Sequence, residues 1–242
     1  MKIDLNCDVG EGVENEHLLM PHISSCNIAC GGHFGTTQTI DKTIRFAIEN
    51  KVLIGAHPSF PDRENFGRKL MDISHEELQK SIENQLDLLT HRLRFTEEKL
   101  HHIKPHGALY NLIAVDEKFA KTFLKSIKKY SKDVFLYVPY NSVIEKLAIR
   151  KNINIKYEVF ADRNYNNDLT LVSRSYKKAL ITDEVEVFNH VLSIYKGQVK
   201  TISGELKSIK ADTFCIHGDN KNAVLILENL SEKLKKVGIR IA

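Results

Sequence analysis

Seven short apolar runs, separated by longer stretches of mostly helical period, constrain this chain more than any other feature of its sequence. The runs occupy residues 2–8, 25–31, 52–57, 102–106, 134–138, 153–161 and 213–217. Helical patterns fall at 39–50, 74–100, 117–130, 142–151, 183–195 and 222–237. Ser74 followed by Glu77 opens the longest of these with a capping box, in which hydroxyl and carboxylate take up free first-turn amides. Residues 196–210 fit neither period and read as a hairpin or turn. Strand and helix in alternation imply a parallel sheet with helical crossovers, either closed into a barrel or open and doubly wound. A dinucleotide-binding turn is excluded, because Gly10 and Gly12 run into Val13-Glu14-Asn15 without the third glycine. With no Pro/Ser-rich linker and no internal repeat, residues 1–242 read as one domain, a common length for an α/β barrel.

Composition excludes several function classes. Hydrophobic residues make up 42% and charged residues 27%, a globular balance rather than a disordered one. The net charge of +4 comes from 35 basic and 31 acidic residues, with lysines scattered along the helical stretches, so no nucleic-acid footprint is expected. No run of about 18 apolar residues offers a membrane span, and the N-terminal MKIDLNCDVG lacks a secretory apolar core; a cytoplasmic location is expected. Cys7, Cys26, Cys30 and Cys215 all sit in or beside apolar runs, which predicts buried free thiols rather than disulfides. In an extended strand Cys26 and Cys30 would lie about 13 Å apart, too far to share an ion.

The chemistry collects where the apolar runs end. The first run passes into Asn6-Cys7-Asp8-Val9-Gly10-Glu11-Gly12, the second into Gly31-Gly32-His33, and the third into His57-Pro58-Ser59 with Asp62-Arg63 beyond. The fourth carries Lys104-Pro105-His106-Gly107, the sixth Ala161-Asp162-Arg163, and the seventh His217-Gly218-Asp219. C-terminal strand ends form the active-site face of a parallel barrel, so these segments are expected to converge on one cleft. Each residue alone has a structural reading, such as a satisfied core histidine or an Asx turn at Asp8; their coincidence favours a shared site.

The residue types suit acid/base hydrolysis of a small anion. Asp8, Glu11 and Asp219 are candidate bases or water-positioning groups, and His57 and His106 candidate proton carriers near neutral pH. Lys104, Arg63 and Arg163 suit a substrate carboxylate, and Lys104 also stands among the catalytic candidates. Asn6, His33, Asp62, Asp162 and His217 complete the expected substrate contacts. Asp/His clusters also hold divalent metals, but no H-E-x-x-H spacing settles whether these histidines are ligands.

The runs DLNCDVGEG, NIACGGHFG, GAHPSFPDRENFGR, KPHGALYN and EVFADR, followed by Cys215-Ile216-His217-Gly218-Asp219, resemble those of the LamB/YcsF family of 5-oxoprolinase A subunits, in order and over almost the whole chain. The resemblance implies a seven-stranded (β/α) barrel of the glycoside hydrolase/deacetylase type. It also implies ATP-dependent ring opening of 5-oxo-L-proline to L-glutamate, with partner subunits B and C. Two segments depart from the family pattern. Phe34-Gly35-Thr36-Thr37 stands where Ala-Gly-Asp-Pro is usual, leaving threonine to cap the following helix in place of aspartate. Arg174 is retained, but Ser175-Tyr176-Lys177-Lys178 replaces the usual Pro/Gly pattern, so the loop there is expected to be reshaped. A lactam is a poor electrophile, and phosphorylation of its oxygen by ATP would activate it. This chain has neither a G-x-x-x-x-G-K-[ST] loop nor a kinase-type glycine loop, so ATP is expected to bind with or by the partners. The isolated chain should then show negligible oxoprolinase activity. Two other readings are a metal-dependent deacetylase or amidase acting without ATP, and a non-catalytic substrate-binding subunit. Asp8→Asn is expected to abolish turnover and leave the fold nearly intact.

Overall fold

Seven parallel strands close into a barrel in the computed structural model, which describes residues 2–220 and 222–242. They are β1 (Leu5–Val9), β2 (Ser25–Ala29), β3 (Leu53–His57), β4 (His102–Ile103), β5 (Phe135–Pro139), β6 (Ile155–Phe160) and β7 (Thr213–His217). Each strand pairs with its neighbour in sequence, and β7 closes the ring by pairing β1, with His217 opposite Asp8. Closure decides between the two architectures that alternation left open. All seven expected strands are present. The fourth is shorter than expected, although Lys104 N still bonds Ala56 O at 2.9 Å and His106 N bonds Pro58 O at 2.8 Å beyond its end.

The crossovers are α1 (Thr37–Asn50), α2 (His75–Leu93), α3 (Gly107–Val115), α4 (Glu117–Ser126), α5 (Val143–Arg150), α6 (Glu184–Tyr195) and α7 (Ala223–Lys236). Only the short helix Glu16–Leu19 and a 3-10 turn at Met20–His22 join β1 to β2. The Ser74/Glu77 capping box forms as expected, but α2 stops at Leu93 instead of continuing to residue 100, where Thr96 Oγ1 donates to Leu93 O. Thr36 caps α1 through a reciprocal pair with Thr39, taking over the role of the absent aspartate. Helix α3 escaped the periodicity reading because GALYNLIAV is apolar nearly all round. Residues 196–210 form an antiparallel hairpin, Gln198–Lys200 with Leu206–Ser208.

Strand alternation sorts side chains into two environments. Leu5, Cys7, Ile28, Ile54, Leu136, Val159, Phe214 and Ile216 join the apolar layer shared with Ile44, Leu86, Phe123 and Leu227 of the helices. The opposite face is polar. Asn6, Asp8, Ser25, Asn27, His102, Lys104, Glu158 and Thr213 are all buried, and contacts such as Lys104 to Asp8 and Ser25 to Tyr137 join strands that are not neighbours. They therefore cross the barrel interior. Branched apolar residues usually fill such a lumen; here hydrogen bonds do.

Candidate active site

The lumen is one connected network. At its base Thr213 Oγ1 donates to Asp4, as does Ser25 Oγ at 3.2 Å. Asn6 Nδ2 donates to Thr213 Oγ1 at 2.8 Å, and Asn27 Nδ2 donates to Asn6 Oδ1 at 2.7 Å and to Asp8 Oδ1 at 2.8 Å. His102 Nε2 lies 2.7 Å from Asn27 Oδ1, its ring stacked on Tyr137. Above this layer Lys104 Nζ reaches Asp8 Oδ1 at 2.7 Å, Glu158 Oε1 at 3.0 Å and Cys215 Sγ at 2.9 Å. Burial alone would raise the Asp8 pKa, but the charges of His57 and Lys104 hold it well below the usual carboxylate range. Burial opposes the Lys104 charge, and the negative groups around it restore and raise its pKa. Glu158 is pushed up by the same burial. Lys104 is thus already matched inside the barrel, and its charge is not free for a substrate carboxylate.

At the barrel mouth the ends of β1, β2, β3 and β4 bring Glu11, His33, His57 and His106 together, with one potential ligand atom from each within 4.8 Å of the others. Glu11 Oε1 lies 2.8 Å from His33 Nε2, 3.3 Å from His106 Nδ1 and 3.8 Å from His57 Nε2. His57 Nε2 is also 3.4 Å from Asp8 Oδ2. Burial would raise the Glu11 pKa, yet the imidazoles of His106 and His33 beside it hold it far below the usual range. Burial lowers His106 and draws His33 down to about 4. The loop after β3 presses on this group: Phe66 takes a left-handed φ of 55° and Gly67 one of 62°, and a Cβ on Gly67 would come within 3.1 Å of the His106 ring and of His33 Cβ. For a bulky residue such as Phe66 that conformation is strained, and strain of this kind gathers at functional sites.

Asp8, His57, Lys104, His106, Arg163 and His217 share the wall of one cleft of about 710 Å³, within the roughly 300–1,000 Å³ typical of small-molecule sites. Asp162 is fully buried behind it and accepts from His217 Nδ1 at 2.9 Å. Its pKa is opposed by burial and pulled down by the His217 charge. Arg163 Nη2 donates to Val172 O at 2.6 Å, while its buried Nε has no hydrogen-bond partner among the described residues. The other expected residues lie elsewhere. Asn6 sits a layer deeper in the lumen network. His33 stacks on His106 with ring centroids 3.7 Å apart, but is not part of the cleft wall. Asp62 holds its own turn by accepting from Asn65 N at 3.0 Å, and the exposed Arg63 donates to Gly35 O at 2.9 Å, tying two loops together. Neither lines the cleft: a short loop uses up its own polar groups. Asp219 is paired with Arg68 and Arg174.

Four residues of this site escaped the sequence reading. Glu158 lies on the lumen side of β6, and a lone acid inside an apolar run was the available signal. Tyr110 brings a buried hydroxyl to the cleft beside Glu158, hidden in sequence by the apolar run of α3. Arg68 and Arg174 flank the mouth; the sequence shows Arg174 as retained from the family pattern without a role, and no local pattern announces the contact of both with Asp219.

Comparisons with known proteins find relatives along the whole chain. The model of the LamB/YcsF family matches residues 3–242. Over 241 residues the chain is 40% identical to the 5-oxoprolinase A subunit of Haemophilus influenzae (strain PittEE), covering 99% of this chain and 98% of that protein. It is 39% identical to the 5-oxoprolinase A subunit of Pyrococcus horikoshii, covering 100% and 97% respectively. A lactam utilization protein from Thermus thermophilus superposes with a TM-score of 0.93 at 33% identity, covering 100% of this chain and 99% of that one. A family 4 carbohydrate esterase from Streptomyces lividans, at 8% identity and a TM-score of 0.50, shares the fold alone. On the strength of the family match and these full-length relatives, the chain belongs to the LamB/YcsF family.

Proposed function

We propose that this chain is the A subunit of a 5-oxoprolinase, which opens the lactam of 5-oxo-L-proline to L-glutamate in a reaction coupled to ATP hydrolysis. The observation that carries the reading is the match, at about 40% identity and almost full length, to proteins named as 5-oxoprolinase A subunits. The cleft supports it. Ring opening adds one water across the lactam C–N bond, hydroxyl to carbonyl carbon and hydrogen to nitrogen. Asp8 Oδ2, the oxygen not held by Lys104, faces the cleft beside His57 Nε2 and suits the task of taking the proton from water. Arg163 offers a guanidinium with an unpaired Nε to the carboxylate of the substrate. His217, oriented by Asp162, suits proton delivery to the departing nitrogen.

ATP coupling belongs to the assembled subunits, since the chain has no phosphate-binding glycine loop. The word subunit in the names of the relatives supports partners, for which the B and C subunits of the enzyme are the candidates. The test is ATP-dependent glutamate release from 5-oxoproline with this chain alone and with candidate partners added. Turnover only in the mixture is expected; ATP-independent amide cleavage by the chain alone would favour the amidase reading instead.

A further inference from the structure

Backbone carbonyls fix the proton positions of two imidazoles at the barrel mouth. His57 Nδ1 lies 2.8 Å from Lys104 O, and His106 Nε2 lies 2.9 Å from Phe66 O. A carbonyl oxygen only accepts, so both of these nitrogens carry hydrogen. In neutral rings His57 Nε2 and His106 Nδ1 are then bare lone pairs. They face each other at 2.9 Å, with Glu11 Oε1 at 3.8 and 3.3 Å from them and Asp8 Oδ2 3.4 Å from the first. Four electron-rich atoms converge in a buried space, an arrangement that requires positive charge at its centre. A shared proton bridges one pair of them; a cation serves all.

We propose that Glu11, His57 and His106 bind one divalent first-row transition-metal ion, of zinc-like ligand preference, with Asp8 Oδ2 beside its cleft-facing position. The spacing agrees. Bonds of about 2.0–2.1 Å in a tetrahedral site place ligand atoms about 3.3–3.4 Å apart, and the three separations here are 2.9, 3.3 and 3.8 Å. Metal-binding histidines almost always donate their other ring N–H to a carbonyl or carboxylate, which fixes the tautomer; both of these do. The carbonyl for His106 comes from Phe66, held at a φ of 55°, so the backbone strain in the loop is directed at one ring nitrogen. His33 Nε2, 2.8 Å from Glu11 Oε1, orients the carboxylate.

Two nitrogens and one oxygen without sulfur suit zinc and its neighbours better than magnesium or calcium, which favour oxygen alone. Asp8, Cys215 and His217 form a second group with metal-ligand atoms. There the Lys104 ammonium lies 2.9 Å from Cys215 Sγ and 2.7 Å from Asp8, and Asp162 already holds His217 Nδ1. A cation next to an ammonium is disfavoured, so the first group is the site.

Ion binding by the isolated chain is independent of whether it takes part in the proposed reaction. Untagged full-length protein, stripped with a chelator, is to be dialysed against zinc chloride or manganese chloride and analysed for bound metal. One ion per chain is expected, with a rise in melting temperature. His106→Gln and Glu11→Gln should weaken binding by about 100-fold or more, and His217→Gln should keep the ion. Loss of the ion in His217→Gln with retention in His106→Gln would place it in the second group and overturn the assignment. Should the ligand variants fail to fold, cobalt(II) in the wild-type protein decides. Strong visible absorption of a tetrahedral nitrogen/oxygen site is expected, and absence of a bound-cobalt spectrum refutes the site.

Discussion

Asp8 has two oxygens in unlike surroundings. Oδ1 accepts from Lys104 and Asn27, and Oδ2 faces His57 and the cleft. Asparagine in its place preserves shape and removes both proton acceptance and the charge opposite Lys104. Loss of a general base lowers rates about 10²- to 10⁴-fold, and Asp8→Asn should reduce glutamate release by the assembled enzyme to that extent. The expectation of a nearly intact fold needs revising, because Asp8 is buried in the lumen and not on a surface turn. Loosening a buried, charge-assisted hydrogen bond costs on the order of 1–3 kcal/mol, although Glu158 still pairs with Lys104. Urea melts and turnover on one preparation separate the two effects, and near-normal activity in the folded protein eliminates Asp8 as the base.

Strand β3 shows how an element is shaped by what crosses the barrel. A Cβ on Gly55 would lie 2.0 Å from His102 Nε2, so the glycine makes room for the ring that hydrogen-bonds Asn27. Gly55→Ala must displace His102 or bend the strand. Overpacking of this kind costs about 1–3 kcal/mol, and a lower urea midpoint with a disturbed His102 NMR signal is expected. A variant as stable as wild type would show the lumen to be loosely packed. Helix ends were more legible, since Ser74 and Glu77 lie three residues apart and find each other without tertiary help. The end of α2 was misread because helical period continues in the sequence past Leu93, where the chain must turn to reach β4.

Acid should unfold the whole molecule through its imidazoles. Burial draws His190 down to about 4, its Nε2 donating to Phe160 O at 3.2 Å, whereas a free histidine titrates near 6.5. Between those values the unfolded chain binds the proton and the native one does not, so stability rises with pH in that window. The contribution is fully present above about pH 6.5 and is lost as pH falls toward 4. His102 and His101, also lowered by burial, act in the same direction. Urea midpoints measured between pH 7 and pH 4 should fall with pH, and less steeply in His190→Gln; equal slopes would refute a neutral buried His190.

Sequence by itself determined the strand order, every crossover helix but α3, the residues gathered at strand ends, and the buried free thiols. All follow from short-range rules of period, capping and burial that act within a few residues. Tertiary structure alone decided that the sheet closes, because closure depends on β7 pairing with β1 across more than 200 residues. It also decided which polar residues meet. Asp62 and Arg63 stand among candidate site residues in the sequence, yet spend their hydrogen bonds on loops. Glu158 gave only the weak signal of an acid in an apolar run, yet faces Lys104 in the lumen. The physical reason is the two-residue period of a strand, which says that alternate side chains share a face but not whether that face meets the helices, the lumen or water.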